Sequence, residues 1–357
     1  MNAIRVLIVD DSIIYRSQIR AALTSFPHLE LVGTANNGRM AMETLNKVSI
    51  DLVILDMEMP EMDGLQTLLE MRKIKSSAKV LLFSSQTARG AQITLEALRL
   101  GASDFVTKPD ETTNSLNQNP ANLIRQLLEP KIDALFPRAS SQPPQTSKKT
   151  QSVFELETRP KAIVIGCSTG GPNVLETIFS DISKKCKGPL PFPVFIVQHM
   201  PPLFTKALAQ RLERLSGWKV VEATHGEPVQ NCVYVAPGDY HMVIETEDNR
   251  AVISLEQSPK VHFVRPAVDP LFISAARCYG RYCVGFVLTG MGSDGLHGCK
   301  EVKAGGGSII IQNQESCVVF GMPGAVQQSG LQDAEMNPDQ IQNCIIKTLN
   351  SSLTKAA

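Results

Sequence analysis

The chain has 357 residues, 43% hydrophobic and 20% charged, which is the make-up of a globular protein long enough for two cores rather than of a disordered one. Its 35 basic residues balance 35 acidic ones, so the footprint of a nucleic-acid binder is not expected. No apolar run approaches the roughly 20 residues that cross a bilayer, and the opening MNAIRVLIVDD lacks the basic region of a secretion signal, so a cytoplasmic location is expected.

The first 110 residues alternate short apolar runs with helix-period stretches. Strands are expected at 5–10, 29–35, 51–56, 79–84 and 104–108, with amphipathic helices between them. Such alternation predicts a doubly wound parallel α/β domain. A further helix is expected near 121–128. From 129 to 159 the chain is rich in Pro, Ser, Thr and Lys, and we read it as an interdomain linker, semi-extended at Pro143-Pro144. A short helix near 130–136 is compatible with that reading.

A second βα series begins at 161–166. Apolar runs follow at 193–198, 220–223, 232–237, 240–245, 251–255, 283–288 and 308–312, with helices expected at 172–186, 203–215, 268–279 and 295–303. The runs at 240–245 and 251–255, separated by ETEDNR, predict a hairpin inserted into a second parallel α/β domain. The expected division is therefore residues 1–128, the linker 129–159, and 160–350. The eight cysteines form neither CxxC pairs nor a zinc-ligand spacing, and read as small apolar residues of a reducing compartment.

In the first domain Asp10 and Asp11 end the first strand, Asp56 the third, Ser84 the fourth and Lys108 the fifth. Ligands of open parallel sheets bind outside the carboxyl ends of the strands, so these side chains can converge. Three carboxylates in one crevice call for a cation, and an oxygen-only site of this kind suits Mg²⁺. A carboxylate held beside Mg²⁺ and a lysine is a plausible nucleophile toward phosphorus.

In the second domain, strand 161–166 runs into Gly166-Cys167-Ser168-Thr169-Gly170-Gly171 and then Pro172. G-x-S-x-G between strand and helix is the pattern of a nucleophile elbow, and its main rival is a glycine-rich turn that binds phosphate. Of six histidines, His199 is the one that directly ends an apolar strand; His28, His225 and His297 lie in polar turns or at helix ends, and His241 and His262 are weaker candidates. Asp294 lies in the glycine-rich TGMGSDG that follows the strand at 283–288, where it could also cap a helix. Ser168, His199 and Asp294 would make a complete triad, in a chain order unlike that of α/β-hydrolases.

The segments IVDDS, DLVILDMEMPEMDGL, LLFSS and GASDFVTKP resemble the receiver domain of response regulators across residues 3–126. That resemblance implies that Asp56 accepts phosphate from a histidine kinase, that Asp10, Asp11 and Asp56 hold Mg²⁺ together with the Glu58 backbone carbonyl, and that Lys108 and Ser84 bind the phosphoryl oxygens. Phe105 would stand at the aromatic switch position. GCSTGGP, VQHMPPLFT, VYVAPGDYHM, VRPAVDPLF and LTGMGSDGLHG are similar, in this order, to the catalytic domain of chemotaxis protein-glutamate methylesterases. The resemblance implies Ser168 as nucleophile, His199 as base, Asp294 as orienter, a Met291 N–H at the oxyanion, and Thr169 as support. Cys167, where the family often has alanine, is expected to pack. Receptor glutamate methyl esters and glutamine amides would be the substrates, methyl-accepting chemotaxis receptors and the kinase the partners, and no cofactor would be needed for hydrolysis. The unphosphorylated receiver is expected to restrict the Ser168 cleft until Asp56 is phosphorylated. A monomer is the expected state, and a DNA-binding output domain is not, because the second half shows no helix-turn-helix or local positive charge.

Overall fold

The computed structural model describes residues 3–109, 119–137, 156, 158–186 and 188–353. The chain divides into two compact units between Ser141 and Gln142. Among the described residues no helix is long and apolar enough to cross a membrane.

The first unit runs β1 (Ile4–Val9), α1 (Ile13–Leu23), β2 (Leu29–Ala35), α2 (Gly38–Leu45), β3 (Leu52–Asp56), α3 (Gly64–Lys73), β4 (Lys79–Ser84), α4 (Ala88–Arg99), β5 (Asp104–Thr107) and α5 (Pro120–Leu135). Its sheet is parallel throughout, in the order β2-β1-β3-β4-β5. Each helix starts on a side chain that accepts a free N–H: Ser12, Asn37, Asp63, Thr87 and Asn119. Val6, Ile8, Leu52, Ile54, Leu81 and Phe83 form the core with Ile19, Ile124 and Leu128.

One boundary differs from expectation. The helix placed near 121–128 continues through Pro130 to Leu135, so residues 129–135, assigned to the linker, belong to the first unit. The reason is a stripe the proline does not interrupt: Ile124, Leu128, Ile132 and Leu135 are all buried. Lys131 also pairs with Asp104 at 2.7 Å, and Lys79 donates to the Leu135 carbonyl and covers the Phe136 ring. Pro143-Pro144 and most of the expected linker lie outside the described residues.

The second unit runs β6 (Ala162–Cys167), α6 (Gly171–Phe179), α7 (Ile182–Lys185), β7 (Val194–Gln198), α8 (Phe204–Ser216), β8 (Val220–Glu222), β9 (Val233–Val235), β10 (His241–Glu247), β11 (Arg250–Glu256), α9 (Val268–Tyr279), β12 (Cys283–Val287), α10 (Leu296–Ala304), β13 (Ser308–Gln312), α11 (Met322–Gln328), β14 (Ala334–Met336) and α12 (Pro338–Leu353). Seven parallel strands are ordered β14-β13-β12-β6-β7-β9-β8, and β10 and β11 form a separate antiparallel hairpin. Its turn places Asp248 and Asn249 at positive φ, the conformation a two-residue hairpin turn requires. The helix expected over 172–186 is broken after Phe179, because Asp181 adopts φ +53° and its N–H turns to Leu215 O.

Strand β14 and helices α11 and α12 are not among the elements expected from the sequence. A three-residue strand is too short for periodicity. Helix α12 does carry a periodic signal, in Ile341, Ile345 and Leu349, all buried. Gln342 on the same helix donates to the carbonyls of Thr177, Ile178 and Ser180, covering the C-terminal end of α6.

Candidate active site

In the seven-stranded sheet β6 is central. The chain first builds outward through β7, then returns on the other side through β12, so the order reverses between β6 and β12. The crevice outside the carboxyl ends of these strands is where such a sheet binds ligands. Ser168, His199 and Asp294 come to this crevice from three neighbouring strands.

Cys167 pairs with Gln198 across β6 and β7, and His199 N donates to Cys167 O at 3.1 Å. The next residue on one strand is Ser168 and on the other His199, so pairing register alone sets them side by side. On the opposite flank Ser168 N donates to Thr289 O at 3.0 Å. Gly170 holds φ +80°, which lets the chain turn sharply into α6. Gly290 has to be glycine for a different reason: a Cβ there would lie 2.8 Å from Ser168 Cβ and 2.3 Å from Met322 Sδ. The Met291 N–H that follows meets no hydrogen-bond acceptor among the described residues.

His199 Nε2 lies 2.7 Å from Asp294 Oδ2, with both side chains largely buried. An ionised carboxylate only accepts, so the contact assigns the proton to Nε2 and leaves Nδ1 as the basic nitrogen of the neutral ring. Asp294 receives two more donors, Val268 N on Oδ2 at 2.6 Å and Asp269 N on Oδ1 at 3.0 Å. These are the first residues of α9. Asp294 therefore caps α9, a helix earlier in the chain, and not α10, whose N-cap is Gly295. Burial opposes its charge, but the His199 contact and the two N–H donors outweigh it and hold its pKa below the ordinary 3.8.

The other histidines do different things. His241 is fully buried, accepts Ala267 N on Nδ1 and meets Pro259 O with Nε2, tying the hairpin to the start of α9. His262 meets Asp269 at 3.3 Å, His225 accepts Leu255 N, and His28 lies 3.9 Å from Asp133. Cys167 is wholly buried with its thiol on Val197 O, and burial pushes that thiol well above the usual range, which is packing behaviour.

In the first unit Lys108 Nζ faces Asp10 Oδ2 at 3.0 Å and Asp56 Oδ2 at 2.8 Å. Asp10 and Asp56 are buried, and Asp11 is exposed beside them, with one oxygen of each within 4.8 Å of the others. Apart from the Lys108 ion pairs, neither Oδ2 has a hydrogen-bond donor. Buried carboxylate oxygens without donors, in an oxygen-only set, fit a hard divalent cation. Burial pushes Asp56 up to about 6, with Asp10 adding to the rise and Lys108 opposing it. For Lys108 burial works against the charge, but Asp56 and Asp10 outweigh it and raise its pKa. Glu58 N donates to Asp56 Oδ1 at 3.3 Å. Ser84 ends β4 fully buried and accepts from Thr94 Oγ1 at 2.7 Å, and the Phe105 ring is buried on β5.

A family model of the CheB methylesterase matches residues 163–345, and one of the response regulator receiver domain matches residues 6–118. A protein-glutamate methylesterase/protein-glutamine glutaminase from Nocardioides sp. is 40% identical over 341 residues, covering 93% of this chain and 91% of that protein. Another from Thermotoga maritima is 40% identical over 335 residues, covering 93% and 94%. The crystal structure of the Thermotoga maritima CheB methylesterase catalytic domain covers 53% of this chain and 99% of its own, at 41% identity and a TM-score of 0.50. The chain belongs to the CheB methylesterase family. Within that family's frame it joins a response-regulator receiver to a methylesterase domain, both built on parallel sheets.

Several residues that shape this CheB-family site escaped the sequence reading. Gln198 is 2% exposed and donates from Nε2 to Ser168 O at 2.9 Å, bracing the elbow from the β7 side. Thr289 braces it from β12: its hydroxyl contacts Thr169 O and Val319 O and accepts Val319 N. Thr289 N in turn donates to buried Gln312 Oε1. In the receiver, Tyr15 and Phe83 set their rings 4.8 and 5.7 Å from Lys108 Nζ. The available signal for the glutamines was position: each ends a run of apolar strand residues, where a long amide is costly unless it is satisfied.

Proposed function

We propose that this chain hydrolyses the γ-methyl esters of glutamates, and the γ-amides of glutamines, on methyl-accepting chemotaxis receptors, and that phosphorylation of Asp56 by a chemotaxis histidine kinase activates it. The observation that carries the catalytic half is the 2.7 Å contact of His199 with a buried Asp294, beside a serine held on a glycine elbow. In this reading Ser168 Oγ attacks the ester carbonyl while His199 Nδ1 takes its proton, and the imidazolium formed is stabilised by Asp294. The Met291 N–H, which meets no acceptor, would receive the oxyanion, and Thr169 holds the turn through Thr289. The imidazolium then protonates the departing methoxide and methanol leaves. Water, deprotonated by the same nitrogen, hydrolyses the acyl-enzyme to glutamate and restores Ser168. Ammonia replaces methanol when the substrate is an amide.

In the receiver, Asp10, Asp11 and Asp56, with the Glu58 carbonyl, would hold Mg²⁺, which supplies neutralising charge for carboxylate and phosphoryl oxygens. Asp56 is the phosphate acceptor. Lys108, positioned by two carboxylates and two rings, would bind the phosphoryl group, and Ser84 would exchange its Thr94 partner for a phosphoryl oxygen, with Phe105 beside it as the switch aromatic.

Methanol release from methylated chemoreceptor membranes, with and without a small phosphodonor plus Mg²⁺, tests both halves, with Ser168→Ala as the blank. Release that requires Ser168 and rises with phosphodonor is the expected result. Release from Ser168→Ala at the unmodified rate would overturn the assignment of the nucleophile.

A further inference from the structure

The catalytic unit hides its large apolar side chains well, with five exceptions among the described residues: Leu203, Tyr240, Phe263, Met291 and Val318 are 42%, 37%, 95%, 37% and 44% exposed. Four of the five lie on loops that follow strands of the seven-stranded sheet, as the triad residues do, and Phe263 lies on the loop that leads from the hairpin into α9. Leu203 lies between β7 and α8, Tyr240 between β9 and β10, Phe263 between β11 and α9, Met291 between β12 and α10, and Val318 between β13 and α11. No helix surface or strand amino end of this unit carries another. Scattered exposed apolar residues would need no explanation, whereas five confined to the loops of one site do.

Three of them lie next to residues that border or support the triad. Val318 lies so close to Gly170 that a Cβ there would be 2.6 Å from its Cγ2. Met291 follows Gly290, which abuts Ser168. Phe263 follows His262, which contacts Asp269, whose N–H donates to Asp294. The backbone beneath two of them is costly. Phe263 and its neighbour His262 take φ +65° and +49° at the tip of a turn closed by Val261 and Val264, and Leu203 takes φ +70°. Folding gains nothing from holding a bulky side chain in that conformation with its surface in water.

We propose that these five side chains form an apolar collar that binds the uncharged, apolar residues flanking the target glutamate on the protein substrate. The occupant follows from the chemistry of the site. A polypeptide that presents a side chain to Ser168 has to lie across these loops, so the collar is continuous with the surface the reaction already requires the substrate to touch. The groups that pass through it, a γ-methyl ester or a γ-amide, carry no charge, and an apolar rim desolvates them at little cost. The carboxylate product is charged and is held less well there, which favours its release. The inference rests on the methylesterase reading of the same site.

The test uses the full chain with phosphodonor and compares kcat/KM on methylated receptor with kcat/KM on a small soluble ester, the γ-methyl ester of an N-acetylglutamate amide. Phe263→Asn keeps the positive-φ turn, which asparagine tolerates, and removes the ring. Its receptor-to-small-ester ratio should fall about tenfold through a higher KM on the receptor, the size expected when one well-buried aromatic contact is lost. Phe263→Leu should recover most of the ratio, and Phe263→Asn combined with Val318→Ser should lower it further. An unchanged ratio in the double variant, or an equal loss on both substrates, would overturn the collar while leaving the esterase assignment standing. An unmodified chain that hydrolyses neither ester would remove both proposals together.

Discussion

Replacing Asp294 with asparagine exchanges one oxygen for an amide nitrogen at a buried carboxylate that receives three N–H donors. Oδ2 takes His199 Nε2 at 2.7 Å and Val268 N at 2.6 Å, while Oδ1 takes Asp269 N at 3.0 Å. Asparagine keeps two of these bonds if its oxygen sits in the Oδ2 position, and only one if it is flipped. The first orientation therefore wins, and it preserves the His199 tautomer. Its amide nitrogen then faces Asp269 N–H, and that unsatisfied donor costs about 1–3 kcal/mol of stability. The charge opposite the imidazolium is lost as well. Removing one partner of a buried pair costs about 3–5 kcal/mol, and the lower end applies because a neutral hydrogen bond survives. At about 1.4 kcal/mol per decade, kcat should fall about 10²- to 10³-fold with little change in KM. A triad forced into the wrong tautomer loses about 10⁴, so Asp294→Asn should retain more activity than that. Steady-state methanol release, together with a urea melt of the same preparation, reads both effects. A folded Asp294→Asn chain with kcat within tenfold of the unmodified one would refute the idea that Asp294 stabilises the charged base.

The same contacts set a pH window. Because the folded pKa of Asp294 lies below the ordinary 3.8, its charge contributes stability fully above that value and loses the contribution as pH falls through the lower, folded one. The stability gap between the unmodified chain and Asp294→Asn, from urea melts, should narrow as pH falls below about pH 4; a gap that widens below that pH would contradict the depressed pKa. Gln198→Ala removes the side-chain donor to Ser168 O and leaves a void beside the elbow, so methanol release should fall about tenfold and stability by about 2 kcal/mol. Gly290→Ala should be worse than either, because its methyl would overlap Ser168 Cβ and Met322 Sδ, and a thermal melt with the activity assay would detect it. Asp56→Asn should abolish the phosphodonor-dependent rise in methanol release; a rise that persists would place the acceptor elsewhere.

What the sequence determined by itself was the part that local chemistry dictates. Short apolar runs followed by Asp10, Asp56, Lys108, Ser168 and His199 marked strand ends, because strand pairing stops where polar and glycine residues begin. The glycine-rich turn after β6 likewise marked an exposed serine. Tertiary structure decided which of these ends meet. The register of Cys167 with Gln198 sets Ser168 beside His199, and register is a property of two strands about thirty residues apart. That Asp294 could cap a helix was legible, but that the helix is α9 was not, because it is the docking of α9 over β6 and β12 that brings two free N–H groups to the carboxylate. The end of α5 went the same way. Pro130 reads locally as a stop, but burying Ile132 and Leu135 outweighs the one hydrogen bond that the proline removes. Beyond the place of the two glutamines at the ends of apolar runs, nothing in the sequence marked Gln198, Thr289 and Gln312 as site residues, because a buried amide or hydroxyl declares its role only through the partner it meets, and each of these partners lies on another strand or loop.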